Sequence, residues 1–156
     1  MSSQAPEQPD SCEQPLELLA DRLGYLLKHA QQQLAALGAE ALRPYGITGR
    51  ELAVLLVLDN AEPASQQETA QRLAVDRTTM VALLDGLEAS GFVARRPHAQ
   101  DRRRNVVELT EAGRETLRVA TAASDAAERQ FLAPLAEADA RKLKEWLRLL
   151  TGHGHV

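Results

Sequence analysis

The sequence predicts a mainly helical α+β fold in which amphipathic helices surround one short β-hairpin. Leucines recur every three or four residues, helix-capping side chains precede several of these stretches, and two strand-like segments stand close together. The 156 residues, 44% hydrophobic and 26% charged, have the size and balance of one soluble globular domain. Separate cofactor and substrate domains are therefore not expected.

No membrane span is expected either. The longest purely apolar run, residues 53–58, is far shorter than the ~20 residues of a membrane helix. The N-terminal residues lack the basic and apolar regions of a secretory signal, so we expect a cytoplasmic protein. Its single cysteine, Cys12, excludes an intrachain disulfide framework and a multi-cysteine metal site. His153 and His155 lack a third ligand and a rigid frame, so neither a metal nor another cofactor is expected.

The net charge of −4 is distributed unevenly along the chain. Residues 1–71 carry −6, residues 72–104 carry +3 and residues 105–156 carry −1. Because salt screens each charge beyond roughly 8–10 Å, a local basic segment on an acidic body can still bind phosphate. The charge pattern therefore leaves nucleic acid open as a partner.

The chain begins and ends with segments that lack apolar periodicity. Residues 1–13 are predicted to form a disordered tail and residues 152–156 a flexible one.

Between residue 14 and Gly38 the spacing predicts one amphipathic helix of about six turns. Its apolar positions are Leu16, Leu19, Leu23, Leu26, Ala30, Leu34 and Leu37. A stripe this long exceeds what a small domain buries, so we expect part of it to pack against a second chain.

Helix-capping residues place the next three helices. Two capping boxes, Thr48-x-x-Glu51 and Ser65-x-x-Glu68, open a helix through Leu58 and a short helix from Gln66 to about Leu73. Asp76 is the predicted N-cap of a helix that ends near Ser90, before Gly91. The inward face of this helix has Met80, Leu83, Leu84 and Leu87. Its outward face has Thr78, Val81, Ala82 and Asp85, with Arg77 and Thr79 at the flanks.

A hairpin and two further helices complete the prediction. The strands are residues 92–96 and 105–109, and the basic link between them contains residues 101–104. Thr110 caps a helix to about Phe131, and Pro134 separates it from a last helix over residues 137–150. The apolar face of that last helix has Leu143, Trp146, Leu147 and Leu150.

A short helix, a tight turn and a second helix followed by a basic hairpin form a winged helix-turn-helix over residues 48–109. The small side chains of Thr78 and Ala82 allow close approach to the DNA major groove, and Arg77 can donate to guanine or phosphate. The hairpin tip can reach a narrowed minor groove, where arginine is attracted. Asp85 either accepts from a cytosine amino group or neutralises a nearby arginine. Strand alternation turns one of Arg95 and Arg96 outward, and a structural ion pair for one of them is an open alternative.

Several motifs together resemble the MarR family of winged-helix transcription regulators. They are Ile47-Thr48, Arg77-Thr78-Thr79, Leu87-Glu88-x-x-Gly91-Phe92-Val93-x-Arg95, Asp101-Arg102-Arg103, and Leu109-Thr110-x-x-Gly113. The resemblance covers roughly residues 16–150 and implies one domain over residues 14–151. It implies a homodimer built from the helices of residues 14–38 and 110–151. Such a dimer binds a pseudo-palindromic site in double-stranded DNA, usually as a repressor.

The resemblance also implies roles for individual residues. Arg103 is the arginine that enters the minor groove, Asp101 pairs with it, and Arg102 and Arg104 contact phosphates. Three residues at the start of the preceding helix are placed to bind phosphate: Ser65, Gln66 and Gln67. The full expected DNA-contacting set is Ser65, Gln66, Gln67, Arg77, Thr78, Thr79, Val81, Ala82, Asp101, Arg102, Arg103 and Arg104. Thr69 departs from the pattern, because such helices often carry a larger apolar residue there.

A small-molecule effector is a further implication of the family. The expected ligand is a phenolic or amphipathic anion, and its candidate residues are Arg22, Tyr25, His29 and Tyr45. The alternative is that these are ordinary polar-face residues, and Arg22 can pair with Asp21 or Glu17. Some family members sense peroxide through an N-terminal cysteine. Cys12 has no basic neighbour to lower its pKa, which favours a passive thiol.

Two other function classes compete with DNA binding. A helical adaptor or antirepressor could keep the winged fold for protein interaction, but it would not need three arginines at the hairpin tip. An enzyme is not expected, because the sequence has no recognisable nucleophile–base pair, carboxylate pair, metal cluster or Gly-rich phosphate loop.

Overall fold

The structure, a computed structural model, describes residues 19–59, 64–65, 71, 73, 75–97 and 105–152. In chain order they form α1 (Leu23–Leu42), a 3₁₀ turn (Arg43–Tyr45), α2 (Gly49–Asp59), β1 (Ala64–Ser65), α3 (Arg77–Ala89), β2 (Val93–Pro97), β3 (Asn105–Leu109), α4 (Glu111–Leu132) and α5 (Glu137–Leu150). This confirms the mainly helical α+β prediction. The predicted tail with Cys12, the hairpin tip, His153, His155 and most of the predicted helix 66–73 lie outside the described residues.

The first helix is interrupted within its predicted range and ends later than predicted. Residues 14–18 lie outside the described residues, Leu19 and Ala20 are helical, and the helix resumes at Leu23. Arg22, expected inside the helix, is an exposed N-cap with extended backbone (φ −79°, ψ 122°), and no burial holds it in a helical conformation. The helix also continues past Gly38, its predicted end, to Leu42. Burial of Leu42, which is 2% exposed, outweighs the roughly 1 kcal/mol propensity cost of an interior glycine. Pro44 and then Gly46, at φ 66°, end the helical path.

The predicted capping box of α2 is confirmed. The Glu51 carboxylate accepts from the Thr48 backbone N–H at 2.7 Å, and the Thr48 hydroxyl accepts from the Glu51 N–H at 3.3 Å. These two bonds satisfy donors that a helix start leaves unpaired. The helix then buries Val54 and Leu55 completely.

The sheet has three antiparallel strands in the order β1-β3-β2. The predicted hairpin is confirmed, with Val93 opposite Leu109 and Pro97 opposite Asn105. Strand β1 was not predicted; it pairs Ser65 with Val106. Two residues are too few to show the alternation by which strands are identified in a sequence.

The core lies between α2, α3, the sheet and the first half of α4. Its fully buried side chains include Val54, Leu55, Met80 and Leu84, and Phe92 packs against them. Helix α4 extends from this core, through Leu117 and Ala120, and packs along α1. The fold therefore joins two parts. One is the winged lobe, formed by α2, α3 and the three-stranded sheet, and the other is the pair of long helices α1 and α4.

Helices α5 and α1 leave large apolar side chains exposed. No residue of α5 is buried, although all fourteen of its residues are described. Its apolar face includes Trp146, which is 59% exposed, and Leu150, which is 74% exposed. Helix α1 adds an exposed set of its own: Leu23, Leu26, Leu27 and Leu34. None of the helices within the described residues has the length and hydropathy needed to cross a membrane.

Candidate nucleic-acid interface

Helix α3 is anchored at its start by Asp76. The Asp76 carboxylate accepts from the Thr79 backbone N–H at 2.9 Å and from the Thr79 hydroxyl at 2.6 Å. These bonds, led by the one from the hydroxyl, lower the pKa of Asp76 below its ordinary value. The predicted N-cap is therefore present, and the first turn of α3 has a defined geometry.

The two faces of α3 are divided as the spacing predicts. Met80, Leu84 and Leu87 are buried in the core, and Leu83 is partly buried against it. On the opposite face Arg77, Thr78, Ala82 and Asp85 are exposed, and Val81 is half-buried. This outer face is small and polar, and it has one cation at its amino end. A surface of this kind can approach base edges closely.

Thr79 has a different position from its neighbours. It is half-buried, and its hydroxyl proton is directed to Asp76. A threonine hydroxyl has only one proton to donate, so Thr79 retains acceptor capacity alone for any other partner. The structure thus places Thr79 in the helix cap, beside the exposed residues with which it was grouped.

Arg95 is the partner of Asp85, for which the sequence left two roles open: accepting from a cytosine amino group or neutralising a nearby arginine. From strand β2 its guanidinium donates to Asp85 Oδ1 at 2.5 Å and to Glu88 Oε2, and its backbone N–H donates to Glu88 Oε1 at 3.3 Å. The Asp85 carboxylate in particular raises the pKa of Arg95. Asp85 is therefore neutralised by an arginine, and Arg95 forms the structural ion pair.

Arg96 faces the other way. Its side chain is 71% exposed, and its Nε lies 3.4 Å from Glu108 Oε2 on strand β3. Alternation along β2 thus separates an arginine that fixes the strand to α3 from one that faces solvent.

The remaining predicted DNA contacts depend on the hairpin and on the preceding helix. Strand β2 ends at Pro97 and strand β3 begins at Asn105, so the link between them contains Asp101, Arg102, Arg103 and Arg104. These four residues, Gln66 and Gln67 lie outside the described residues. Ser65 is the second residue of β1, next to the predicted helix start. Their contacts with DNA remain predictions.

The four candidate effector residues do not form one cluster within the chain. Tyr25 and His29 lie together on α1, with ring centroids 4.1 Å apart. Arg22 precedes the first turn of that helix. Tyr45 lies in the 3₁₀ turn after the helix, about 30 Å along the axis from Tyr25 at 1.5 Å per residue. Tyr45 packs partly against the core of the winged lobe.

A groove of about 320 Å³ lies between α4 and α5. Its charged side chains include Arg129, Arg141 and Lys144, and Lys144 forms an ion pair with Glu128 across the two helices. None of the four candidate effector residues lines it. The signal available in the sequence is a group of cations on both sides of the Pro134 break, but it has no spacing typical of a binding motif.

A family model described as MarR family matches residues 45–104 of this chain. The matched range begins at the 3₁₀ turn and ends at the hairpin tip.

Known transcription regulators are similar in sequence to part of the chain. NicR, an HTH-type transcriptional repressor of Pseudomonas putida, is 32% identical over 95 residues, which are 61% of this chain and 60% of NicR. YetL, an HTH-type transcriptional repressor of Bacillus subtilis, is 38% identical over 46% of this chain and 44% of YetL. The chain thus matches less than two thirds of the length of either relative.

Solved structures match over most of their length. The transcriptional repressor CouR bound to a 23-mer DNA duplex has a TM-score of 0.80 and 31% identity, covering 85% of this chain and 94% of CouR. The MarR family protein Rv2887 of Mycobacterium tuberculosis, in complex with DNA, has a TM-score of 0.71 and 33% identity, covering 82% and 96%. CouR from Rhodococcus jostii has also been solved with p-coumaroyl-CoA, and Rv2887 with p-aminosalicylic acid.

Proposed function

Because the chain belongs to the MarR family of transcriptional regulators, we propose that it is a homodimeric DNA-binding repressor that a small anionic ligand releases from its operator. The observation that carries the proposal is the outer face of α3. This face exposes Arg77, Thr78 and Ala82 while Arg95 neutralises Asp85, so a helix that fits the major groove presents no uncompensated acid there. Strands β2 and β3 flank the link that contains the arginines of residues 102–104 in the sequence, and β2 is fixed to α3 by Arg95, which supports a role for this link beside α3.

Support for DNA as the partner comes from the relatives. CouR and Rv2887 were solved on DNA, and the identity to each exceeds 30% over nearly their whole length. Support for repression comes from NicR, YetL and CouR, all of which are named repressors. BadR of Rhodopseudomonas palustris, a named activator, is 33% identical over 62% of this chain, so activation is the alternative direction of regulation.

The exposed apolar faces of α1 and α5 support the homodimer. Side chains such as Leu23, Trp146 and Leu150 are more than half exposed in the single chain. Several large apolar side chains exposed along one helix mark an interaction site in a soluble protein. A second copy covers both faces by two-fold symmetry, and the two α3 helices can then enter successive major grooves about 34 Å apart.

The ligand class is an amphipathic or phenolic anion. Support comes from p-coumaroyl-CoA in CouR and p-aminosalicylic acid in Rv2887, both of which contain an aromatic ring and an anionic group. In this chain Tyr25 and His29 offer a ring pair on α1, with Arg22 at the start of that helix. A ligand that favours the non-binding arrangement by ~1–3 kcal/mol would weaken operator affinity roughly 5- to 150-fold. Equal operator affinity with and without such anions would contradict this part.

The experiment is a salt series of binding to the intergenic DNA upstream of the protein's own gene. Arg103→Ala is compared with Arg148→Ala, which removes one positive charge from the polar face of α5. We expect Arg103→Ala to cost about 1–3 kcal/mol of binding and to reduce the salt slope by about 1, and Arg148→Ala to change neither. Absence of binding at low salt by an intact dimer would contradict the proposal and favour the protein adaptor.

A further inference from the structure

A chain of hydrogen bonds connects the end of α3 to the start of α4. The Phe92 N–H donates to the Leu87 carbonyl at 2.9 Å, and the Phe92 carbonyl accepts from the Thr110 N–H at 3.0 Å. The Thr110 hydroxyl donates to the Gly91 carbonyl at 2.6 Å and accepts from the Gly113 N–H at 3.0 Å. We call Gly91, Phe92, Thr110 and Gly113 the α3–α4 joint.

The joint is closed by direct backbone contact at Gly113. A Cβ atom built on this residue would lie 1.9 Å from the Phe92 carbonyl oxygen and 2.9 Å from its carbonyl carbon. Side chains essentially never approach other atoms this closely, so any substitution must move α4 from the residues that follow α3 by at least about 1 Å. Gly91, at φ 75°, makes the turn that brings Phe92 to this contact.

The joint connects two helices that have different tasks in the proposed function. Helix α3 has the outer face with Arg77 and Thr78, whereas α4 packs along α1 in the helices proposed to form the dimer. Main-chain atoms make most of the contacts at the joint, and main chain cannot rearrange by rotamer changes. A small displacement at the joint therefore changes the position of α3 relative to the two-fold axis of the dimer.

We propose that Thr110 and Gly113 are positioning residues that set the half-site spacing the dimer selects in DNA. This inference rests on the proposed function, and neither residue needs to touch DNA for it to hold. Thr110 acts through its second bond, to Gly91, in addition to capping α4. Gly113 acts through the absence of a side chain.

The test is selection of binding sites from a random-sequence duplex DNA library by the purified full-length protein. Thr110→Val and Gly113→Ala are each compared with a control of the same type. Thr48→Val removes a cap hydroxyl whose hydrogen bonds are to Glu51, within the helix that it caps. Gly49→Ala adds a methyl group where nothing lies within 4 Å. Thr110→Ser retains the hydroxyl. Thermal unfolding and molar mass are measured for every variant.

We expect Thr110→Val and Gly113→Ala to select the same half-site sequence with a spacing changed by about one base pair or broadened. Loss of the Thr110 hydrogen bond should weaken binding to the wild-type spacing about threefold to tenfold. Thr48→Val, Gly49→Ala and Thr110→Ser should keep the wild-type spacing. If Gly113→Ala does not fold, Thr110→Val alone decides the result.

Two outcomes would overturn the inference, and they can be told apart. If the wild type selects sites and folded Thr110→Val selects the same sites at the same spacing and affinity, the positioning role is wrong while the proposed function stands. If the wild type selects no sites, the proposed function fails, and the inference fails with it.

Discussion

Arg95 shows how one side chain adapts a helix to a polyanion. Without it, Asp85 and Glu88 would place two negative charges beside the outer face of α3. Its guanidinium contacts both carboxylates, and 23% of its side chain is exposed. Solvent screens the pair with Glu88, whose side chain is 39% exposed, less than the pair with Asp85, whose side chain is 58% exposed. The same contacts hold strand β2, and with it the hairpin, against α3.

We predict that Arg95→Met weakens DNA binding although residue 95 need not touch DNA. Each uncompensated carboxylate near a phosphate costs about 1 kcal/mol at short range in water, and more where water is excluded. Fluorescence anisotropy with the upstream DNA at low salt measures the loss. The double variant Arg95→Met/Asp85→Asn should recover part of the affinity. No recovery in a folded double variant would mean that the pairing acts only through packing.

Asp76 gives a pH-dependent prediction. Its pKa is lowered in the folded chain because the carboxylate accepts bonds from Thr79, so its contribution is present above the unfolded-state pKa of about 3.9 and is lost as pH falls through the lower folded-state value. Asn also caps helices but does not titrate in this range. Melting temperatures measured from about pH 6 down to pH 3 should fall less steeply for Asp76→Asn than for the wild type. Parallel curves would contradict the assignment.

Among the described α-helices, α5 is the one whose apolar face lacks a buried residue. It is amphipathic with an apolar face of Leu143, Trp146, Leu147 and Leu150, yet none of its residues is buried. Helices of this length gain most of their stability from packing an apolar face. In the proposed dimer the partner subunit provides that packing.

We predict that Leu147→Gln/Leu150→Gln shifts the protein toward monomer. Full burial of an exposed leucine is worth about 1.5–3 kcal/mol. Leu150, which is 74% exposed, can gain most of this at the interface and Leu147, which is 36% exposed, a smaller part, and both subunits of a two-fold dimer lose it. Sedimentation over a concentration series measures the shift. Arg148→Gln, on the polar face of the same helix, is the control and should retain the wild-type mass. An unchanged mass for the double variant would exclude this face from the interface.

Local signals predicted the helix starts. The caps Thr48, Asp76 and Thr110 were identified because a cap and its partner lie within three residues of each other. The helix of residues 23–42 was predicted with a wrong end, because its stop depends on burial of Leu42 in a core formed by distant segments. Strand β1 was missed because its pairing with β3 joins residues about 40 positions apart.

In the candidate site, too, features within one helix were predictable and contacts between elements were not. The outward face of α3 follows from helical periodicity, and the structure places those residues as expected apart from the commitment of Thr79 to the cap. The partner of Asp85 could not be chosen, because Arg95 reaches it from another element. The role of Gly113 was also not predictable, since its spacing after Thr110 indicates a motif but not the nearby Phe92 carbonyl.

At the scale of the whole molecule, charge is separated along the chain. Residues 72–104 form a basic segment, whereas residues 1–71 and 105–156 are net acidic. The basic segment attracts DNA while the rest of the chain repels it, so orientation on the duplex is restricted before contact. A dimer presents two such segments, and binding of the first raises the effective concentration of the second.

We therefore predict that DNA affinity depends on the dimer. Leu147→Gln/Leu150→Gln should bind a duplex with two half-sites no more tightly than a duplex with one, since it loses the gain from linkage. The wild type should distinguish the two duplexes by more than tenfold. Titrations of both proteins with both duplexes measure this. Equal discrimination by wild type and variant would show that each chain binds alone.

The packing of α1 along α4 has a consequence for the order of folding. Residues 43–110 separate the two helices, and they contain α2, α3 and all three strands. Closing so long a loop costs entropy that contacts within the winged lobe do not. We expect the lobe to condense first and α1 to dock last. During synthesis, the face of α1 that packs against α4 stays uncovered until the ribosome has produced α4, and exposed apolar surface of this kind is prone to aggregation.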